Sequence, residues 1–174
     1  SIYSEVAKQQ AGKEIPSLDL IGQNSRKIIE SMSDIVWTIN PENDSFEKII
    51  DRMRSLAYQL LKAKKIEYTF EVAEKLDSIE LPMQVRKNFY LIFKEAINNL
   101  VKYSQATRVL ISLEEKGKNI ILKIRDNGVG IPVNPETKGN GQMNMSRRAE
   151  EIDAELNIVS ANGDGTEIEL MVRT

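Results

Sequence analysis

The sequence predicts an α+β two-layer sandwich, in which a mixed β-sheet carries helices on one face and is preceded by a separate helical segment. Stretches with the periodicity of amphipathic helices alternate with stretches whose apolar residues recur at every second position. After the helical start, the order is helix, strand, helix, strand, strand, helix, strand, strand. Helices interspersed among strands in this way can all cover one face of a single sheet.

Composition narrows the class of protein. The 174 residues, 41% hydrophobic and 29% charged, suit an ordinary globular domain with a small appendage. A net charge of -2 argues against direct binding to nucleic acid, and the absence of cysteine excludes disulfides and thiolate metal sites. No apolar run reaches the roughly 20 residues that span a bilayer. Because the chain starts with Ser inside a helical pattern, we interpret it as part of a longer protein, with any membrane anchor upstream.

The first 40 residues have their own pattern. Ile2 and Val6 lie one helical turn apart, and the stretch 12–17 supplies the Gly and Pro of a turn. Apolar residues then recur with the spacing of a helix in a bundle, at Ile21, Ile28, Met32, Ile35 and Ile39. Pro41 ends that helix. We therefore divide the chain into a helical hairpin, residues 1–40, and a second domain, residues 41–174.

The second domain begins with an amphipathic helix over residues 45–64 and an alternating strand over 66–72. A long helix starts at Pro82 and runs to about Tyr103. The remaining elements are the strands RVLISL and NIILKI, a helix over residues 143–152, and the strands ELNIVS and TEIELMV. The run Asn-Gly-Asp-Gly at residues 162–165 predicts a hairpin turn between the last two strands.

Three polar residues share a strip of the long helix. At about 100° per residue, Glu95, Asn99 and Lys102 fall on one side, beside the apolar stripe. That stripe comprises Val85, Phe89, Ile92, Ala96, Leu100 and Tyr103. A carboxylate, an amide oxygen and an ammonium at the edge of a core suit three tasks: orienting a water or hydroxyl, coordinating Mg²⁺, and contacting phosphate. An ordinary solvated helix face is the alternative interpretation.

Asp126 ends a strand and shares the parity of Ile120, Leu122 and Ile124, so its carboxylate faces the apolar side of the sheet. A carboxylate there needs a partner. The exocyclic amine of adenine is a hydrogen-bond donor and suits an acceptor, whereas guanine presents an acceptor at that position. Thr166 has the same orientation on the last strand and can complete the adenine contacts.

Two glycine-rich segments follow. Gly128 and Gly130, in the stretch DNGVGI that ends at Ile131, allow a sharp turn and let a flat base approach the backbone. A plain Asx-Gly turn is the alternative. Gly139 and Gly141 precede a helix, whose free backbone N-H groups and dipole can bind a phosphate.

Together these motifs resemble the ATPase fold shared by gyrase-type topoisomerases, Hsp90-type chaperones, histidine kinases and MutL-type repair proteins. EAINN is similar to the N box of that superfamily, DNGVGI to its G1 box, KGNGQMNM to its G2 box and GDGT to its final Gly-Thr motif. The stretch SDIVWTINPENDSFEKIIDRMR and the run from KEAINNLVKYSQA through GNGQMNMSRRAEEI resemble bacterial sensor histidine kinases in particular. The similarity covers nearly the whole chain.

The resemblance implies a role for each motif. Asn99 would coordinate Mg²⁺, Glu95 would be the N-box acid, Asp126 would bind adenine, and residues 133–138 would form the lid over ATP. Two positions depart from the pattern: Tyr103 stands where many relatives have histidine, and Gln142 where many have leucine. We expect Tyr103 to be tolerated because it lies on the core stripe.

The resemblance also implies a function. The chain would be the ATP-binding catalytic part of a sensor histidine kinase, cytoplasmic in a membrane-anchored and dimeric parent. ATP and Mg²⁺ would be its cofactors, and a response regulator its partner. The sequence contains no histidine, so residues 1–40 would be a dimerisation hairpin cut after its phosphorylatable histidine, and this chain would not phosphorylate itself. An ATP-hydrolysing relative and a degenerate nucleotide-binding module are the alternatives.

Overall fold

The computed structural model describes residue 7 and residues 16–40, 45–74, 76, 79–130, 140–161 and 163–174. The chain divides into two compact units, residues 1–40 and residues 41–174. In the first unit, helix α1 spans Pro16–Ile39. Its exposed side chains include Leu20, Ile21, Ile28, Ile29, Met32 and Val36. The helix predicted to end before Pro41 is thus confirmed. The pattern of Ile2 and Val6, on which the prediction of a hairpin rests, lies outside the described residues.

The second unit follows the predicted order of elements. Helix α2 spans Phe46–Ala63, strand β1 Glu67–Val72, and helix α3 Met83–Asn99, which continues as a π-helical turn over Leu100–Ser104. Strands β2 and β3 span Arg108–Lys116 and Asn119–Asp126, helix α4 spans Asn140–Glu150, and strands β4 and β5 span Glu155–Ala161 and Gly165–Arg173.

Side-chain chemistry explains where α2 starts and how it packs. The side chain of Ser45 accepts a hydrogen bond from the backbone N-H of Lys48, as an N-cap residue does. Phe46 is fully buried and meets Phe89 of α3 edge to face, with 5.6 Å between ring centroids. Phe93 of α3 meets Phe70 of β1 in the same way at 6.3 Å. These aromatic contacts join α2, α3 and the sheet around one core.

The five strands form one mixed sheet in the order β1-β2-β3-β5-β4. β1 pairs parallel with β2, and the other three pairs are antiparallel. β4 and β5 form the predicted hairpin, with Ala161 opposite Gly165 and a turn closed by the N-H of Asp164 on the carbonyl of Ala161 at 3.1 Å.

The two faces of the sheet differ in chemistry. Ile111, Leu122, Ile124 and Leu170 belong to the face that lies in the core. The opposite face carries cross-strand ion pairs, Lys123 with Glu169 at 3.1 Å and Arg125 with Glu167 at 3.9 Å. Helices on one face and charges on the other make the predicted two-layer sandwich, which is confirmed.

The end of the long helix departs from the prediction. Tyr103 is 70% exposed, so its assignment to the core stripe is wrong. The stripe assumed 100° per residue to the end, but the chain changes to a wider π-helical turn at Leu100. Leu100 itself is buried, and the change in twist after it turns Tyr103 out of the core.

Candidate functional site

The sheet register brings three polar residues together at one end of the core face. Ser160 pairs with Thr166, and continuing the antiparallel register of β3 and β5 by one residue places Asp126 opposite Thr166. We call Ser160, Thr166 and Asp126 the polar row. The next row of the same face toward the middle of the sheet is entirely apolar, namely Ile158, Ile168, Ile124 and Ile111. The polar row therefore marks the point at which the hydrophobic core ends.

Asp126 is the buried acid of this row, with a relative exposure of 6%. Its Oδ1 accepts a hydrogen bond from the N-H of Gly128 at 2.7 Å, and the N-H of Thr166 also donates to the carboxylate. Burial raises the pKa of Asp126 above its ordinary value, while these two N-H donors oppose the rise. The carboxylate thus faces the core side as predicted, and the backbone uses part of its capacity of roughly four acceptor sites.

The two hydroxyl groups of the polar row, on Ser160 and Thr166, form hydrogen bonds of defined direction. Ser160 Oγ donates to the carbonyl of Gly165 at 3.0 Å and lies 3.1 Å from Oγ1 of Thr166. Because a carbonyl only accepts, both contacts are hydrogen bonds at once only if Thr166 donates to Ser160. Ser160 belongs to none of the sequence motifs. Its parity with Thr166 across the predicted hairpin was the available signal.

The segment after Asp126 is held from two sides. The N-H of Val129 donates to the carbonyl of Ser104 at 2.8 Å, and the N-H of Gly163 donates to the carbonyl of Val129 at 2.9 Å. Gly130 has a φ of +77°, and a Cβ there would collide with the carbonyl of Ala161. This turn therefore requires glycine. The predicted residues Ile131 and Gly139, and the predicted lid over 133–138, lie outside the described residues.

Asn127 clamps the base of this segment. Its Oδ1 accepts hydrogen bonds from the N-H groups of Thr107 and Arg108 at 3.0 Å and 2.8 Å, and its Nδ2 donates to Oγ1 of Thr107 at 2.9 Å. The polar side chain is thereby committed to the backbone at the start of β2. These contacts do not form an Asx turn. The hydrogen bond of that kind in this segment is the one that the N-H of Gly128 donates to Asp126, two residues earlier.

Glu95 and Asn99 meet the first turn of α4. A Cβ added to Gly141 would collide with Oε1 of Glu95 and would lie 2.9 Å and 3.3 Å from the amide N and O of Asn99. Both side chains are half-buried. α4 begins at Asn140, three residues before the predicted start at Met143, so Gly141 belongs to its first turn. The first N-H groups of a helix have no partner within it, and this end is therefore suited to bind an anion.

Lys102 lies one turn further along, in the π-helical turn, and its side chain is exposed. The predicted strip with Glu95 and Asn99 assumed a regular α-helix, which ends at Asn99. The role of Lys102 in phosphate contact stays a prediction.

The oxygen atoms beside Gly141 fit one kind of metal. Within the described ranges, no group of three or more acidic, histidine or cysteine side chains could hold a metal ion. Mg²⁺ does not need such a group, because it keeps several waters and takes one or two protein oxygens together with substrate phosphates. The amide oxygen of Asn99 and the carboxylate of Glu95 are such oxygens, next to a helix end suited to phosphate.

These two parts of the site are connected. Gly128 packs against the carbonyl of Ser104, where a Cβ would collide. The segment that carries Asp126 therefore touches the end of the helical stretch that carries Glu95 and Asn99. The arrangement combines a buried acceptor for a base, oxygens for a hard cation and a helix end for phosphate.

Comparison with known proteins agrees with this chemistry. The family described as histidine kinase-, DNA gyrase B- and HSP90-like ATPases matches residues 84–174, which is more than half of the chain. The chain belongs to this ATPase family. It is a catalytic, ATP-binding domain of the sensor histidine kinase type, as the motifs predicted.

The relatives of this histidine kinase domain include the sensor protein VraS of Staphylococcus aureus strain COL. The two are 28% identical over 159 residues, which is 91% of this chain and 44% of VraS. VraS of Staphylococcus saprophyticus is also 28% identical, over 94% of this chain and 45% of its own length. The chain thus spans less than half the length of these relatives.

Solved structures share the fold. The histidine kinase domain of the blue-light activated kinase of Erythrobacter litoralis EL346 superposes with a TM-score of 0.66 at 16% identity, covering 98% of this chain and 82% of that one. The histidine kinase AdeS of Acinetobacter baumannii gives 0.66 at 16% identity, covering 97% and 90%. Within the described part of this histidine kinase domain, none of the helices is both long and apolar enough to cross a membrane.

Proposed function

We propose that this chain binds Mg-ATP and serves as the catalytic part of a longer sensor histidine kinase. It would transfer the γ-phosphoryl group of ATP to a histidine outside the chain, from which an aspartate of a response regulator would receive it. The observation that carries the proposal is the polar row, which sets the buried carboxylate of Asp126 at the end of an otherwise apolar face. The motif order around it supports the same conclusion.

The nucleobase end of the site would be the polar row. The carboxylate of Asp126 would accept a hydrogen bond from the exocyclic amine of adenine. Burial makes this contact selective, because guanine would place its carbonyl against the carboxylate and leave two acceptors facing each other. Gly128 and Gly130 supply backbone without side chains beside the row.

The phosphate end would be Gly141 with Asn99. Asn99 would hold Mg²⁺ through its amide oxygen, and the N-H groups at the start of α4 would receive phosphate oxygens. When bound, the metal supplies neutralisation of the negative charge that develops on the phosphates. Titrating ATP affinity against Mg²⁺ concentration tests this assignment. The Asn99→Ala variant should lose most of the magnesium dependence that the unchanged chain has.

Glu95 would act on the proton of the acceptor. One imidazole nitrogen of the incoming histidine attacks the γ-phosphorus, and the bond from that phosphorus to the bridging oxygen breaks. ADP leaves with the electron pair, and Glu95 takes up the proton of the imidazole. Its half-buried position beside Asn99 and Gly141 supports a role at the phosphate end rather than at the base. A general base of this kind contributes roughly 10²- to 10⁴-fold to a rate.

The parent protein would have further parts. We propose that it is a homodimer, that a response regulator receiver domain is its partner, and that this chain lies on the cytoplasmic side of an anchored sensor. The support is the similarity to sensor proteins such as VraS, of which the chain spans 44%. Mg²⁺ would be the divalent cation bound together with ATP.

Phosphoryl transfer in trans tests the proposal. The chain is incubated with ATP labelled in the γ-phosphate and with a separate dimerisation domain that contains the acceptor histidine. Acid-labile label should appear on the acceptor. The Glu95→Gln variant should lower its rate by about 100-fold or more while Mg-ATP affinity stays within about threefold. Release of phosphate that depends on Glu95, without label on the acceptor, would show an ATP hydrolase instead.

A further inference from the structure

A polar cluster joins α3 to α4 at the end away from Gly141. Asn88 of α3 is almost completely buried, with a relative exposure of 1%. Its Nδ2 donates to Oε2 of Glu151 at 3.2 Å, and its Oδ1 accepts from Nη1 of Arg148 at 3.4 Å. We call Asn88, Arg148 and Glu151 the latch. Through the latch, the buried amide of Asn88 bonds by its oxygen to the last turn of α4 and by its nitrogen to the residue after α4.

The latch and the phosphate end share one helix register. Glu95 contacts Gly141, and Asn88 contacts Arg148. On α3, Glu95 comes seven residues after Asn88, whereas on α4, Gly141 comes seven residues before Arg148. The two helices therefore run antiparallel, and both contacts belong to the same axial alignment. Seven residues correspond to about 10 Å of helix. An axial slide of α4 would therefore displace both contacts together.

The packing between these contacts is apolar. Met145 of α4, which lies between Gly141 and Arg148, is 1% exposed. Apolar contacts are not directional, whereas a hydrogen bond requires its donor and acceptor at a set distance and angle. Among the described residues, the directional contacts between α3 and this end of α4 include the two hydrogen bonds of Asn88 and the one from Nε2 of Gln84 to the carbonyl of Glu151 at 3.5 Å. They oppose a slide of α4 along α3.

We propose that Asn88, through Glu151 and Arg148, is a positioning residue for the phosphate and metal end of the site. The latch holds the first turn of α4 against Glu95 and Asn99. The polar row lies on β4, β5 and β3, where the pairing of the strands holds Ser160, Thr166 and Asp126. The inference rests on the proposed function, and it predicts that the latch affects Mg-ATP and adenosine differently.

The main variant is Glu151→Ala, because Glu151 is exposed and its removal leaves the core intact. Glu151→Gln keeps an acceptor oxygen for Asn88 but loses the ion pair with Arg147, which spans 3.9 Å. The control is Glu169→Ala, which breaks the 3.1 Å pair with Lys123 on the opposite face of the sheet. Dissociation constants for Mg-ATP and for adenosine are measured by calorimetry and by NMR titration.

The expected result is a three- to tenfold weaker Mg-ATP affinity for Glu151→Ala, as the loss of one hydrogen bond implies. Adenosine affinity should stay within about twofold, and Glu151→Gln and Glu169→Ala should match the unchanged chain. A merely structural role for the latch would lower the melting temperature without separating the two ligands. Equal weakening of both ligands, or no weakening, would overturn the inference. Failure of the unchanged chain to bind Mg-ATP would overturn the proposed function and the inference with it.

Discussion

Gly141 of α4 lies so close to Glu95 of α3 that any side chain at position 141 would collide with the carboxylate. The contact joins two motifs that are 46 positions apart in the sequence. The Cβ of any other residue at position 141 would meet the ends of two side chains, Glu95 and Asn99, which would have to move aside. The phosphate end of the site therefore depends on how closely the two helices approach.

The first prediction follows from this contact. Gly141→Ala should push the carboxylate of Glu95 and the amide of Asn99 away from the first turn of α4. Because both groups belong to the proposed phosphate end, we expect the dissociation constant of Mg-ATP to rise about tenfold, which corresponds to about 1.4 kcal/mol, as measured by calorimetry. Gly117→Ala is the control: it strains the backbone at a φ of +67° but brings no atom within 4 Å of the added Cβ, so it should lower stability and leave Mg-ATP affinity unchanged. Unchanged Mg-ATP affinity in Gly141→Ala would contradict the role of this contact.

The second prediction concerns the π-helical turn. Tyr103 is exposed and Leu100 is buried, so Tyr103→Ala should change the free energy of unfolding by less than about 0.5 kcal/mol. Leu100→Ala should cost about 2–5 kcal/mol because it leaves a cavity. Urea denaturation of both variants measures the difference. If Tyr103→Ala lowers the free energy of unfolding as much as Leu100→Ala does, then Tyr103 lies in the core, as an unbroken α-helix predicts.

The third prediction concerns the clamp at Asn127. Asn127→Ala removes three hydrogen bonds, but water can reach Thr107 and Arg108 because both are exposed. We therefore expect a loss of only about 1 kcal/mol in the free energy of unfolding. Asn127→Asp keeps the acceptor for both N-H groups and should lose less. If the aspartate variant is the less stable of the two, the acceptor role assigned to Oδ1 is wrong.

The fourth prediction is a dependence of stability on pH. Because burial raises the pKa of Asp126 in the folded state, the folded protein holds that proton more tightly than the unfolded chain does. This contribution to stability is fully present below the ordinary pKa of 3.8 and is lost as the pH rises through the higher folded value. Asp126→Asn has no such proton.

The unfolding free energy of the unchanged chain minus that of Asp126→Asn should therefore decrease as the pH rises. Denaturant titrations over the range in which both proteins unfold reversibly give this difference, and the other carboxyl groups cancel in it. A difference that grows with pH would mean that the folded protein stabilises the charged form of Asp126.

The elements of the fold were predictable because each rests on local periodicity. The alternation in β3 and β5 fixed the side on which Asp126 and Thr166 lie, and both lie there. The early start of α4 was not predictable, since Asn140 and Gly141 are poor helix formers and tertiary packing decides their conformation. The π-helical turn was not predictable for a related reason. The apolar spacing of an α-helix continues to Tyr103, but the α-helical backbone ends at Asn99.

The parts of the site that the sequence left out depend on contacts between distant segments. Asn88 meets Glu151 across 63 positions, and no local pattern marks either residue as one of a pair. Ser160 is six positions from Thr166. The register of the predicted hairpin would have placed it opposite Thr166, on the same face of the sheet. Sequence motifs thus identified the groups expected to touch the ligand, and the structure adds those that hold them in place.

The most direct test of the account is calorimetric titration with Mg-ATP of the unchanged chain, Asp126→Asn and the control Asp153→Asn, whose side chain is exposed after α4. A hydrogen bond to a charged group contributes about 1.5–3 kcal/mol, which corresponds to roughly a 10- to 100-fold change in affinity. We predict that loss for Asp126→Asn alone, with Asp153→Asn matching the unchanged chain. Equal Mg-ATP affinity in all three proteins would contradict the assignment of the polar row to adenine.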